Sequence, residues 1–162
     1  MRRMGLVAAA LATVFVLGAG PAWAKPPGNN GTVKVDDLNL PDDAPNNEPH
    51  VGCVFEIDFY GYDRGNLDAS ATFDLVPPTA GGSMSFTDIA IGEDAAGGGT
   101  DLDASLQVDL TPLVIGMTPH PQQGFHVKLT VHAEGSQGAD TKHKVFWVSG
   151  CDTGYPWYGW ND

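Results

Sequence analysis

The chain has 162 residues, 20 acidic against 8 basic side chains, a formal charge of −12 and only two cysteines. So acidic a chain repels phosphate backbones and anionic lipid, which argues against nucleic-acid binding and simple electrostatic membrane docking. Length and a 42% hydrophobic content fit one globular domain.

In chain order, residues 1–24 (MRRMGLVAAALATVFVLGAGPAWA) pair a charged start at Arg2 and Arg3 with an apolar run from Gly5 to Gly18. They close on Ala22, Trp23 and Ala24, with small residues at the two positions a signal peptidase inspects. The segment reads as a secretory signal cleaved after Ala24. Its apolar run of about 14 residues is shorter than the roughly 20 a spanning helix needs, so no membrane span is expected in the mature form. Cleavage removes two of the eight basic residues and no acidic one, which moves the formal charge from −12 to −14.

Residues 25–49, rich in Pro, Asn and Asp, read as an extended leader holding one short strand, Thr32 to Val35. From His50 to Cys151 the dominant period is two. In CVFEIDFY, Cys53, Phe55, Ile57 and Phe59 alternate with polar or outward positions. ATFDLV repeats this with Phe73 and Leu75, SLQVDL with Leu106, Val108 and Leu110, and FHVKLTVH with Val127, Leu129 and Val131. MSFTDIAI and KVFWV are less regular but rich in aromatic and β-branched residues. Clusters of Gly and Pro separate these runs, and no window sustains a helical period. The pattern predicts an all-β antiparallel sandwich of six or seven strands, immunoglobulin-like in outline, with a small β-barrel as the alternative. Residues 152–162 are left as an aromatic tail.

An even cysteine count in an exported chain predicts a disulfide, here Cys53 to Cys151. Because Cys53 is in phase with inward Phe55, Cys151 should point inward too. Stepping back by twos from Cys151 puts Trp147, Val145 and His143 inside, with Trp147 buried beside the cystine. It leaves Lys142 and Lys144 outside with Lys128, as a basic stripe suited to an anionic envelope polymer.

The sequence offers four kinds of candidate chemistry. GEDAAGGGTDLDAS gathers Glu93, Asp94, Asp101 and Asp103 on a glycine-rich loop. Calcium takes about six to eight oxygens, so Asp94, Asp101 and Asp103 are candidate ligands of weakly bound calcium, against a plain reading as a solvated acidic loop. No other cofactor is expected. His126 and His132 share a strand face but lie about 20 Å apart, and the phase argument puts His143 on the opposite face, so no zinc site is expected. Glu56 and Asp58 sit about 7 Å apart, within the range used by inverting glycosidases. In the tail, Tyr155, Trp157, Tyr158 and Trp160 are candidate binding residues, since aromatic faces stack on sugars and anchor interfaces. The competing reading has Pro156 turn them back onto a sheet edge.

Three stretches carry a resemblance: NEPHVGCVFEIDFYGYD, GGGTDLDA and HPQQGFHVKLTVHAEGSQGADTKHKVFWVSGC. Together they span residues 47–151 and resemble secreted or cell-wall-associated proteins of actinobacteria, a family without an assigned activity. Some of those proteins bear a sortase signal and hydrophobic tail, where this chain has Asn161 and Asp162. The resemblance implies a secreted protein, extracellular or loosely held on the cell wall, with a cell-wall glycan or another envelope protein as partner. The expectation is thus a non-enzymatic binding or structural module. The alternative is a hydrolase acting on envelope polysaccharide through surface carboxylates.

Overall fold

The computed structural model describes residues 31–38, 47–92 and 100–152. Eight strands account for most of them: β1 (Thr32–Asp36), β2 (His50–Val51), β3 (Val54–Tyr60), β4 (Asp68–Leu75), β5 (Ser83–Ala90), β6 (Leu102–Asp109), β7 (Phe125–Ala133) and β8 (Thr141–Val148). One helical turn, α1 (Thr111–Val114), follows β6. Asp109 Oδ1 accepts the Thr111 amide at 2.8 Å and so starts that turn, helped by a proline in its first positions.

The strands form two sheets, ordered β1-β3-β6 and β2-β8-β7-β4-β5. All pairings are antiparallel except β2 with β8. The order reproduces strands A-B-E and G-F-C-C′ of the immunoglobulin arrangement, with the first strand divided between the sheets as β1 and β2. The sheets stay open, so the fold is a sandwich and not the barrel considered as an alternative.

Alternation explains the core. Phe55, Ile57 and Phe59 of β3 meet Ala71 and Phe73 of β4 and Val127, Leu129 and Val131 of β7, all essentially inaccessible. Phe55 is the hub, edge-on to Phe73 at 5.7 Å and to Phe146 at 5.4 Å between ring centres. Such edge-to-face contacts add to the burial each ring already contributes. Val33 and Val35 of β1 are equally buried, so residues 25–49 are more than a leader: they supply a core strand.

One expectation fails. On β8 the inward residues are Phe146 and Val148, while Val145 is 57% exposed and Trp147 only half-buried. The reason is Gly150, whose φ of +73° turns the chain after β8 ends. Val148 and Cys151, three apart, therefore both point inward, and stepping back by twos from the cysteine inverts the strand. Trp147 is on the outer face rather than buried by the cystine. His143 moves outward with it, while Lys142 and Lys144 move to the inner side, opposite Lys128. The disulfide itself joins Cys53 to Cys151 as expected.

Tyr62, fully buried beyond β3, shares a hydrogen bond of 3.1 Å with Ser136, itself inaccessible, in the loop after β7. Burial raises its phenol above the ordinary 10.0, an effect opposed by Ser136 and reinforced by Asp103 and Asp140. The native state thus favours the protonated phenol. Its contribution is complete below pH 10 and is lost as pH climbs through the raised native value. Tyr62→Phe should cost about 1–3 kcal/mol, because Ser136 is left buried without its partner. It should also flatten the alkaline limb of a stability–pH curve measured by urea unfolding.

Candidate functional site

The inverted phase of β8 assembles a site on the outer face of the five-stranded sheet. Residues opposite one another in neighbouring strands are close enough for side-chain contact. His126 pairs with Trp147 across β7 and β8, and His50 pairs with Trp147 across β2 and β8, so His50, Trp147 and His126 form one row. The His126 ring stacks on Trp147 with 4.5 Å between centres and 21° between planes. His120 approaches the same indole at 5.6 Å and 56°.

Local backbone geometry fixes each histidine. His120 and Gly124 exchange both backbone hydrogen bonds, at 2.8 and 3.0 Å, which closes a tight hairpin at the start of β7. Inside it the Gln122 amide donates to His120 Nδ1 at 3.3 Å. The next residue, Gln123, accepts a hydrogen bond from His50 Nε2 through Oε1 at 2.6 Å. His126 Nδ1 lies 2.6 Å from the Pro77 carbonyl. A carbonyl only accepts, so Nδ1 carries the proton of that bond and Nε2 is not part of it. The His126 amide donates to Thr79 Oγ1 at 2.7 Å, which ties the row to the β4–β5 loop.

Beside the row lies a polar field. Thr72 shares a hydrogen bond with Ser85 at 3.0 Å, and Thr130 one with His143 Nδ1 at 3.1 Å. Register places Ser85, Thr72, Thr130 and His143 in one line across β5, β4, β7 and β8. Asp74 and Lys128 are neighbours in an adjacent line, and His132 bonds Thr141 at 3.1 Å in another. The face therefore presents hydroxyls, imidazoles and one indole, together with the charged Asp68, Asp74 and Lys128 and the exposed Val145. It is equipped to exchange hydrogen bonds with a polyhydroxylated ligand and to pack aromatic edges against it.

His126, His132 and His143 share the outer face, contrary to the expected separation of His143. Each makes its own contact, with Trp147, Thr141 and Thr130 respectively. The stripe of Lys128, Lys142 and Lys144 does not exist as one surface. Glu56 and Asp58 are on β3 of the other sheet, where Asp58 is 4% exposed and accepts a long hydrogen bond from Tyr60 Oη at 3.4 Å. Of the calcium candidates, Asp103 accepts the Tyr62 amide at 2.8 Å, and the Asp101 carbonyl accepts the Gly61 amide at 2.9 Å. Asp94 and the tail residues Tyr155, Trp157, Tyr158 and Trp160 lie outside the described residues.

Sequence reasoning missed His50 and His120. Two-residue β2 is too short to show a period, and its parallel partner is nearly a hundred positions away. The one available signal was HPQQG before an alternating strand, a hairpin turn with a histidine at its entry. Comparison with known proteins adds no identity: no family model, no curated protein and no solved structure matches this chain.

Proposed function

We propose that this protein is a secreted, non-enzymatic module that binds a cell-envelope component through the outer face of its five-stranded sheet. The observation that carries the reading is the His50–Trp147–His126 row, capped by His120, on the same sheet face as the hydroxyl line from Ser85 to His143 and separated from it by the line of Asp74, Lys128 and Val145. An indole held among imidazoles at the edge of a hydroxyl field suits a glycan, whose rings offer apolar C–H faces and whose rims offer hydroxyls. Secretion rests on residues 1–24 and agrees with a cystine, which persists in oxidising compartments. The resemblance to actinobacterial cell-wall proteins points to the same location. Tyr155, Trp157, Tyr158 and Trp160 are proposed as further aromatic binding residues on the strength of their side chains alone. Calcium at Asp94, Asp101 and Asp103 would be a weak structural addition, detectable as a calcium-specific rise in melting temperature.

The competing class is a hydrolase working through Glu56 and Asp58. Co-sedimentation with insoluble envelope polysaccharide, run beside a reducing-sugar assay, separates the two. Trp147→Ala should weaken binding about tenfold or more, as the loss of a central aromatic anchor does, and Glu56→Gln should leave it unchanged. Release of reducing sugar by the wild type that disappears in Glu56→Gln would establish the hydrolase instead.

A further inference from the structure

Two of the histidines beside Trp147 are held by backbone groups whose own hydrogen-bonding roles are fixed. In a neutral imidazole one ring nitrogen carries the proton and donates, while the other accepts. The partner of one nitrogen therefore decides what the other offers a ligand. For His126 that partner is the Pro77 carbonyl, 2.6 Å from Nδ1, and a carbonyl only accepts. The proton of that bond is on Nδ1, so the neutral ring offers Nε2 as an acceptor. For His120 the roles are reversed. Its Nδ1 accepts the Gln122 amide at 3.3 Å, which leaves the proton on Nε2 as a donor.

The surrounding backbone holds both partners in place. Val76 donates its amide to the His126 carbonyl at 2.9 Å, and Thr79 Oγ1 accepts the His126 amide at 2.7 Å. Thr79 is only 6% exposed, and its own amide donates to the Val76 carbonyl at 3.0 Å. The loop after β4 is thus a clip around His126, with Thr79 as its buried pin. The Gln122 amide is held inside the hairpin that His120 and Gly124 close. Both rings approach one indole, with centres 4.5 Å (His126) and 5.6 Å (His120) from that of Trp147. An acceptor at His126 Nε2 and a donor at His120 Nε2 therefore belong to one recognition point.

This pair restricts the guest, which has to donate to His126 and accept from His120. An ionised carboxylate accepts but has no hydrogen for His126, and an ammonium donates but has no lone pair for His120. A hydroxyl does both, so two adjacent hydroxyls satisfy the pair in either order. An acetamido group fits in one order only, and its N–H and C=O point to opposite sides of a planar trans amide.

We infer that the unit seated against Trp147 is an uncharged sugar ring presenting a vicinal diol, one hydroxyl donating to His126 Nε2 and the other accepting from His120 Nε2–H. The inference rests on the glycan-binding reading above and names the sugar chemistry it selects. Thr79 is the residue that positions His126 for it.

The test has a step without ligand and a step with one. Long-range proton–nitrogen NMR correlation of the oxidised protein, at a pH where imidazoles are neutral, reads each tautomer directly. His126 should be the Nδ1–H form and His120 the Nε2–H form. Thr79→Val should mix the His126 tautomers and leave His120 unchanged, while Thr79→Ser, which keeps the hydroxyl, should restore one form. The opposite or mixed tautomers in the wild type would overturn the inference, and that spectrum decides even if Thr79→Val does not fold. A solubilised fragment of envelope glycan is then titrated before and after periodate oxidation and borohydride reduction, which open vicinal diols. The treated fragment should bind about tenfold more weakly, as expected for lost hydrogen bonds. Equal binding of both fragments would overturn the diol and leave glycan binding standing. Binding of neither would overturn the glycan reading and this inference with it.

Discussion

Replacing Cys53 and Cys151 by serine together should lower the melting temperature by on the order of 15–20 °C. The bond closes a loop of sequence separation 98, which embraces every described strand except β1 and β2. Constraining a loop of that size removes unfolded-state entropy worth about 4–5 kcal/mol, comparable to the whole stability of a small domain. For a domain of this length each kcal/mol moves the midpoint by about 4 °C. Both sulfurs are inaccessible or nearly so, and Cys53 Sγ also contacts Thr111 Oγ1 at 3.4 Å, so the serines would leave buried hydroxyls in an apolar setting. Differential scanning calorimetry of the oxidised protein and the double variant reads the difference. Coincident transitions would show that the staple contributes nothing to stability.

Gly124→Ala should be nearly as damaging and should act on the site itself. Gly124 has a φ of +86°, and a Cβ there would lie 2.1 Å from the Val148 carbonyl oxygen and 2.9 Å from its carbon. Those are backbone atoms of β8 and cannot swing aside. The left-handed conformation costs an L-residue about 1–2 kcal/mol, and forcing the strands apart adds about 1–3 kcal/mol more. The same residue closes the hairpin that holds His120 over Trp147 and Gln123 against His50. The variant should therefore lose roughly 3 kcal/mol by urea unfolding and alter Trp147 fluorescence even where it remains folded. Wild-type stability with an unchanged emission spectrum would contradict the role given to this turn.

Most of the sandwich was legible because a half-buried strand declares itself by alternation. Phe55, Ile57 and Phe59, or Val127, Leu129 and Val131, admit one inward face only, and the structure agrees on each. The error on β8 had a physical source. KHKVFWV alternates bulky and polar residues weakly, so Cys151 is the nearest marker of its phase, and a left-handed glycine lies between that cysteine and the strand. One residue of slip moves every side chain to the other face. It hid the row of Trp147 with His126 and the inward placement of Lys144, and so concealed the candidate site. His50 was illegible for another reason: its place beside Trp147 depends on a pairing of two residues that no local pattern encodes. Asp103 shows the converse, since a carboxylate that the sequence offers as a loop ligand also has a place in the fold, accepting the Tyr62 amide.

Binding through the outer face of the five-stranded sheet, as proposed, can be mapped residue by residue. The most direct measurement is an amide and side-chain NMR perturbation map of the oxidised protein titrated with a solubilised fragment of envelope glycan. Shifts are expected on His50, His120, His126, Trp147, Thr130 and Thr72, with Glu56 and Asp58 unmoved. Shifts centred on Glu56 and Asp58, with the Trp147 row silent, would contradict it.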